Sequence, residues 1–224
     1  GTAYKVTLTS VGDASYADSS ASALSGSIST LSAAAAATIT SPASVSKTVG
    51  DSHIFSASPT TASDGGTLSY QWESATAASP STYSSITGAT SINYTTPTLA
   101  IGDNGSLYRV VVTNAINGTT TAANSSAATL TVAKAPLSAP TAITASTVSG
   151  SATSLKIAFT NASNATSYTA RIYLASDGTT LIATATSYTS NTAITGLSAG
   201  TAYKVTLTSV GDASYADSSA SALS

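Results

Sequence analysis

Polar and apolar residues alternate in short runs along most of the chain. In TAYKVTLTS, Tyr4, Val6 and Leu8 fall on one face and Lys5, Thr7 and Thr9 on the other, the two-residue period of a half-buried strand. VGDASY follows as a turn and ADSSASALS as a second strand. From Thr38 to Lys134 strand-like runs come at short intervals: TITSPASVSKTV, SHIFSASP, TLSYQWES, SINYTTPTL, SLYRVVVTN and SAATLTVAK. Beyond Pro140 the runs SLKIAFT, SYTARIYLAS, TTLIATATS and NTAITGLSAGTAYKVTLTS continue the pattern. No long stretch shows a 3.6-residue apolar period, and the alanine run ending at Ala37 is too short for more than a marginal helix, so it reads as an extended connector. The pattern predicts an all-β chain.

Residues 1–25 recur letter for letter as residues 200–224, an offset of 199 that makes Tyr4 and Tyr203 one structural position. A match of that length predicts one full period of a tandem array and the start of its next copy. Two strands alone are not stable in water. Residues 1–25 are therefore expected to complete a preceding domain, or else to fray or find a foreign sheet edge. The organisation that follows is residues 1–25 as the last strands of a preceding domain, residues 26–37 as linker, a β-sandwich over 38–134, a short proline-bearing linker over 135–140 (APLSAP), and a second sandwich over 141–224.

Composition narrows the function classes. Ser and Thr make up more than a third of the 224 residues, whereas only 7% are charged and the net charge is −2. That leaves no electrostatic footprint for nucleic acid or an anionic membrane. The absence of cysteine removes disulfides and thiolate metal sites. No apolar run approaches the length of a membrane span, and no secretion signal is visible. The larger core formers are Val, Ile, Leu, eleven Tyr, Trp72, Phe55 and Phe159.

Two family resemblances rest on particular residues. Tyr70-Gln71-Trp72 resembles the strand carrying the buried tryptophan of bacterial immunoglobulin-like domains, and Asp103, Gly105 and Tyr108 in IGDNGSLYRVVVTN resemble the corner before their strand F. Ala57 and Val110 stand in this alignment where antibody domains keep their two cysteines. Leu197, Gly200 and Tyr203 in GLSAGTAYKV resemble the tyrosine corner of fibronectin type III domains, with Tyr4 its copy, and Phe159 stands where that family usually has a strand-B tryptophan. The resemblance implies tandem sandwiches, immunoglobulin-like followed by fibronectin type III-like, in an elongated bacterial cell-surface protein.

Catalytic chemistry finds little to work with. His53 is the only histidine and Glu73 the only glutamate, so a metal site or carboxylate pair has few members to recruit. Asp103-Asn104-Gly105 lacks the acidic neighbours that calcium requires and reads as a tight turn, as does Asp177-Gly178. Asn-x-Ser/Thr triplets at Asn93, Asn104, Asn117, Asn124, Asn161 and Asn164 are expected by chance in so hydroxyl-rich a chain. Lys156 and Lys204 alternate with apolar neighbours and are expected to point outward, away from any buried acid that would crosslink them. Tyr70, Tyr94, Tyr108 and Tyr173 are expected to pack rather than to stack on sugars.

The expectation is thus a non-enzymatic protein without cofactor or metal: a repeat unit of an extracellular, secreted or cell-surface adhesin-type stalk or fibre. Its partners would be neighbouring repeats of the same chain, or other copies in a fibre or surface layer, with no nucleic acid and no membrane span. A carbohydrate- or protein-binding module, a spacer of a secreted polysaccharide-degrading enzyme and a self-assembling filament subunit are the other readings, the last because the 1–25 pair of strands has an edge to offer.

Overall fold

The structure, a computed structural model, describes residues 2–59, 62 and 64–224. Among these the chain is all-β apart from one short 3-10 turn at Ile101–Asp103. It forms two compact units, the first of Gly1–Ala43, Ile54–Tyr94 and Leu107–Thr129, the second of Ser44–His53, Thr95–Ser106 and Leu130–Ser224.

In the first unit the strand Thr67–Ala75 runs antiparallel to Ser106–Ile116, with Trp72 opposite Val110 and Glu73 opposite Arg109. The second of these strands pairs on through a tight hairpin with Thr119–Asn124. Strict alternation of buried and half-buried positions over Ser106–Asn114 places Tyr108, Val110 and Val112 on the core face. Trp72, 0% exposed, and Phe55, 1% exposed, meet there. Phe55 stacks on Tyr108 with ring centroids 4.7 Å apart, and Tyr94 closes the group at 5.8 Å from Tyr108 and 6.1 Å from Trp72. Burying aromatic rings of this size dominates the energetics of a small core, and the indole N–H is satisfied by donating to the Ser91 carbonyl at 3.0 Å.

The second unit contains a clear two-layer sandwich. Thr141–Thr147, Leu155–Thr160 and Ala193–Ile194 form one sheet; Leu181–Ala185, Ser167–Leu174 and Tyr203–Val210 form the other. Leu155 and Ile157 from the first meet Ala170, Ile172, Val205 and Leu207 from the second, with Tyr188, Ile194 and Leu197 filling between them. Also in this unit, Val45–Thr48 lies parallel to the end of Ala128–Ala133, with Val45 opposite Leu130.

The expected second strand of the repeated stretch is not a regular strand. Of ADSSASALS at 216–224, only Ala216 lies in a paired strand, Tyr215–Ala216, which runs parallel to Ala135–Pro136. The rest is held by a different device, described below.

Candidate functional site

The repeated stretch offers the most regular chemistry in the molecule, and it is built from serine. Ser19, Ser22 and Ser25 donate their backbone N–H groups to the carbonyls of Ser10, Leu8 and Val6 at 3.0, 2.8 and 3.0 Å. The same three serines accept, through Oγ, the N–H groups of Ser10, Leu8 and Val6 at 2.9, 3.0 and 3.1 Å. In a regular antiparallel pair two residues exchange both backbone bonds. Here the hydroxyl stands in for one of the two carbonyls, an arrangement we term a hydroxyl clasp.

A serine hydroxyl suits this because it accepts and donates at once. Each Oγ also donates to the next carbonyl along: Ser19 to Ser20 at 3.2 Å, Ser22 to Ala23 at 3.2 Å, Ser25 to Gly26 at 2.9 Å. The geometry sets the spacing. Clasped residues step by two on the straight strand (10, 8, 6) and by three on the serine strand (19, 22, 25), so every step contains one extra residue, in effect a bulge repeated along the strand. Small residues occupy most of the intervening positions, as Ser20, Ala21 and Ala23 show. The signal was present in the sequence as Ser at every third position, a period that neither a strand nor a helix search looks for.

The turn that joins the two sides is equally determined. Asp18 Oδ1 accepts the Gly12 N–H at 2.7 Å and Asp13 Oδ1 the Ser15 N–H at 2.8 Å. A Cβ on Gly12 would lie 1.9 Å from the Tyr16 carbonyl oxygen, so only glycine fits. The copy at 200–224 reproduces two of the clasps, the cap and the turn: Ser218 and Ser221 clasp Ser209 and Leu207, Ser224 donates its backbone N–H to the Val205 carbonyl, Asp217 Oδ1 accepts the Gly211 N–H, and a Cβ on Gly211 would lie 2.1 Å from the Tyr215 carbonyl oxygen.

Clasps recur beyond the serine series of the repeat. Thr30 clasps Thr2, Thr96 clasps His53 and Ser125 clasps Val110, in each case with both the N–H donated and the hydroxyl accepting. The high hydroxyl content therefore has work to do in the backbone, where it satisfies N–H groups that would otherwise be orphaned.

The residues singled out from the sequence sit in distinct settings. Trp72 and Tyr108 lie in the aromatic core of the first unit. Asp103 ends the 3-10 turn and accepts the Ala100 N–H at 2.8 Å; Gly105 follows with φ +81, a conformation that favours glycine. Asn104 between them accepts the Val132 N–H, so that turn spends its polar atoms on backbone. In the second unit Phe159 packs edge-on against Tyr168 at 4.7 Å, and Leu197 is buried. Tyr203 accepts the Ser198 N–H on its hydroxyl at 2.9 Å, and Gly200 turns the intervening loop at φ +68. Tyr4 is 59% exposed. Asp177 and Gly178 turn the chain between Ser167–Leu174 and Leu181–Ala185, with Asp177 Oδ1 accepting from Thr179 and Thr180, both at 2.9 Å.

Two polar features were not anticipated from the sequence. Asn114, 0% exposed, donates through Nδ2 to the Ala35 carbonyl at 2.9 Å and to Asp64, while Asp64 accepts the N–H groups of Ala35 and Gly66. These bonds, the backbone ones foremost, hold the Asp64 carboxyl below its ordinary pKa. Thr121 Oγ1 adds a bond to the Ala34 carbonyl at 2.8 Å, fixing the alanine run against the hairpin. The second feature is Arg109, which pairs with Glu73 at 2.8 Å and lies over the Tyr83 ring, 3.8 Å from its centroid. Burial first, and Lys47 second, lower the pKa of His53. Among the described residues no three His, Asp or Glu come together. Among the described residues no helix is long and apolar enough to cross a membrane.

No family model matches the chain, and no curated protein matches it. Among solved structures it is similar to the FN1-FN3 domains of chicken CNTN1, with 14% identity and a TM-score of 0.37 over 93% of this chain and 70% of that one. It is also similar to a multidomain segment of titin, with 13% identity and a TM-score of 0.34 over 80% of this chain and 61% of that one.

Proposed function

We propose that the chain is a structural repeat unit of a long extracellular bacterial surface protein, acting as a rod-like stalk or fibre segment of adhesin type. The observation that carries this reading is the stretch found twice, 199 residues apart, with the same hydrogen-bonded construction both times. A repeat module must be self-sufficient in its polar bonds and make its main contacts with neighbours. The clasps supply the first property without using charge.

The mechanism is mechanical. Tyr203–Val210 is held along one edge by eight residue pairs with Ser167–Leu174 and along the other by the clasps, so a pull along the chain loads both sets of bonds together. Neighbouring repeats of the same chain are the partners this role requires. The test is the mass of the native protein taken from cell-surface material boiled in detergent. A single covalent species many times heavier than one period is expected. A species of one or two periods would overturn the stalk reading.

A further inference from the structure

Left-handed backbone is costly for a residue that carries a Cβ, and it concentrates at functional sites. Among the described residues five non-glycine residues adopt it, and four of them gather around two cavities in the second unit: Ala142 at φ +51, Asn164 at +63, Ser187 at +50 and Asn191 at +67. The cavities, about 300 and about 400 Å³, share Asn161 in the loop between Leu155–Thr160 and Ser167–Leu174. Asn164 lines the smaller and Ser187 the larger. Asn191 follows Ser190, which also lines the larger one. Ala142 follows Thr141, a wall of the smaller one, where the pairing with Leu155–Thr160 slips in register.

The polar groups here differ from those of the clasps in being unspent. The side chains of Asn161, Ser163, Asn164, Ser187 and Thr189 form no hydrogen bond among the described residues. Their neighbours do: Thr166 Oγ1 donates to the Val210 and Gly211 carbonyls, and Ser190 Oγ accepts the Phe159 N–H. Tyr168 and Tyr188 line the larger cavity but are buried, with their hydroxyls given to the Ala162 and Thr192 carbonyls. Tyr215 is half-buried and brings a ring to the smaller cavity. Among the described residues no Asp, Glu, Lys or Arg lines either one.

We infer that these adjoining cavities bind a short neutral oligosaccharide. A sugar hydroxyl both donates and accepts, and it is matched by carboxamides, which offer one group of each kind, and by Ser and Thr hydroxyls, which do both at once. The lack of charge selects against sugar acids and phosphates, whose desolvation nothing here would offset. The part-exposed Tyr215 ring supplies an apolar body for the C–H face of a sugar ring. Each cavity lies at the small end of the range for ligand sites, about 300–1,000 Å³, which suits one or two sugar rings apiece with Asn161 between them. The site is complete within residues 136–215 and does not rest on the stalk reading, which native mass tests separately. A tandem array would present one such site per period, multiplying a weak single-site affinity.

The test titrates the full chain, labelled with nitrogen-15, with cellotriose, maltotriose, triacetylchitotriose and the acidic trigalacturonate, and follows amide shifts by NMR. At least one neutral trisaccharide is expected to shift Asn161, Asn164, Ser187 and Thr189 saturably, with a Kd of about 1 mM, while trigalacturonate leaves them in place. Asn161→Ala should weaken that binding about tenfold, the loss of one hydrogen-bonding carboxamide. Ser187→Gly keeps the left-handed backbone and removes only the hydroxymethyl group, so it should weaken binding with the rest of the spectrum unchanged. The inference is overturned if none of the neutral trisaccharides shifts these residues, or if the shifts fall elsewhere on the chain. Trigalacturonate binding as well as the neutral sugars overturns it too, as does unchanged affinity in both variants.

Discussion

Residues 1–25 and 200–224 are the same sequence in two environments, and what they share separates from what they do not. Both carry the serine clasps, the aspartate cap and the glycine turn with bond lengths within a few tenths of an ångström. Only one has its apolar row buried. Backbone geometry is thus written locally, in the three-residue spacing of serine and in Gly12 or Gly211. Burial depends on what packs alongside. The clasped pair is a cassette whose polar bonds are complete within itself and whose hydrophobic face is a separate, transferable quantity.

The largest test of that separation is a leucine truncation made in each copy. Leu207→Ala removes side-chain atoms from a fully buried site and is expected to cost about 3 kcal/mol. Leu8→Ala, at 78% exposure, is expected to cost less than about 0.5 kcal/mol. Urea unfolding followed by far-ultraviolet circular dichroism reads both, while the fluorescence of Trp72 tracks the first unit by itself. Equal costs at the two positions would mean that residues 1–25 are already covered.

Glycine substitution inverts the expectation. The close approach that excludes a Cβ lies inside the cassette, 2.1 Å from the Tyr215 carbonyl at Gly211 and 1.9 Å from the Tyr16 carbonyl at Gly12. Gly211→Ala and Gly12→Ala should therefore open their turns by a similar amount, about 2 kcal/mol in each case. Amide exchange at Ser218 and Ser19, whose N–H groups are the clasp donors nearest the turn, measures it. A turn that survives in one copy alone would show that neighbours, not the cassette, impose the shape.

Serine to alanine falls between these limits. Ser218→Ala strands the N–H of Ser209, which is 0% exposed, and should cost about 1–2 kcal/mol. Ser19→Ala leaves the Ser10 N–H where water replaces the hydroxyl, and an effect of no more than about 0.5 kcal/mol is expected. The same denaturation curves resolve the pair.

Much of the fold was legible because it obeys the two-residue period. The alternation in TAYKVTLTS put Val205 and Leu207 on the core face, and the aromatic core needed only Trp72, Phe55 and the alternating SLYRVVV run. What was not legible broke that period. ADSSASALS looked like a strand, but its hydrogen bonds pass through Oγ every third residue, and alternation carries no information about such a ladder. Asn114 escaped for a similar reason. It continues the buried face of its strand as a polar residue, and only the Asp64 and Ala35 groups brought to it by the fold explain why burial is tolerated there.

The smallest effect isolates a turn that relies on a carboxylate where the clasps rely on neutral hydroxyls. Asp177 accepts bonds from the Thr180 hydroxyl and from the N–H groups of Thr180 and Thr179, and these hold its pKa at about 2, below the ordinary 3.8. A depressed carboxyl pKa contributes stability that is fully present above the unfolded value and is lost as pH falls through the folded one. Acidification between pH 3.8 and about 2 should therefore loosen the hairpin joining Ser167–Leu174 to Leu181–Ala185 while the clasps, which contain no titrating atom, hold. Amide exchange should speed at Thr179 and Thr180 in that window and stay constant at Leu207, whose N–H is bound to Ser221 Oγ. In Asp177→Asn, which has no carboxylate to titrate, the acid step at Thr179 and Thr180 should disappear. If Leu207 loosened over the same range instead, the clasped edge would depend on the Asp177 turn, and the cassette would not be self-contained.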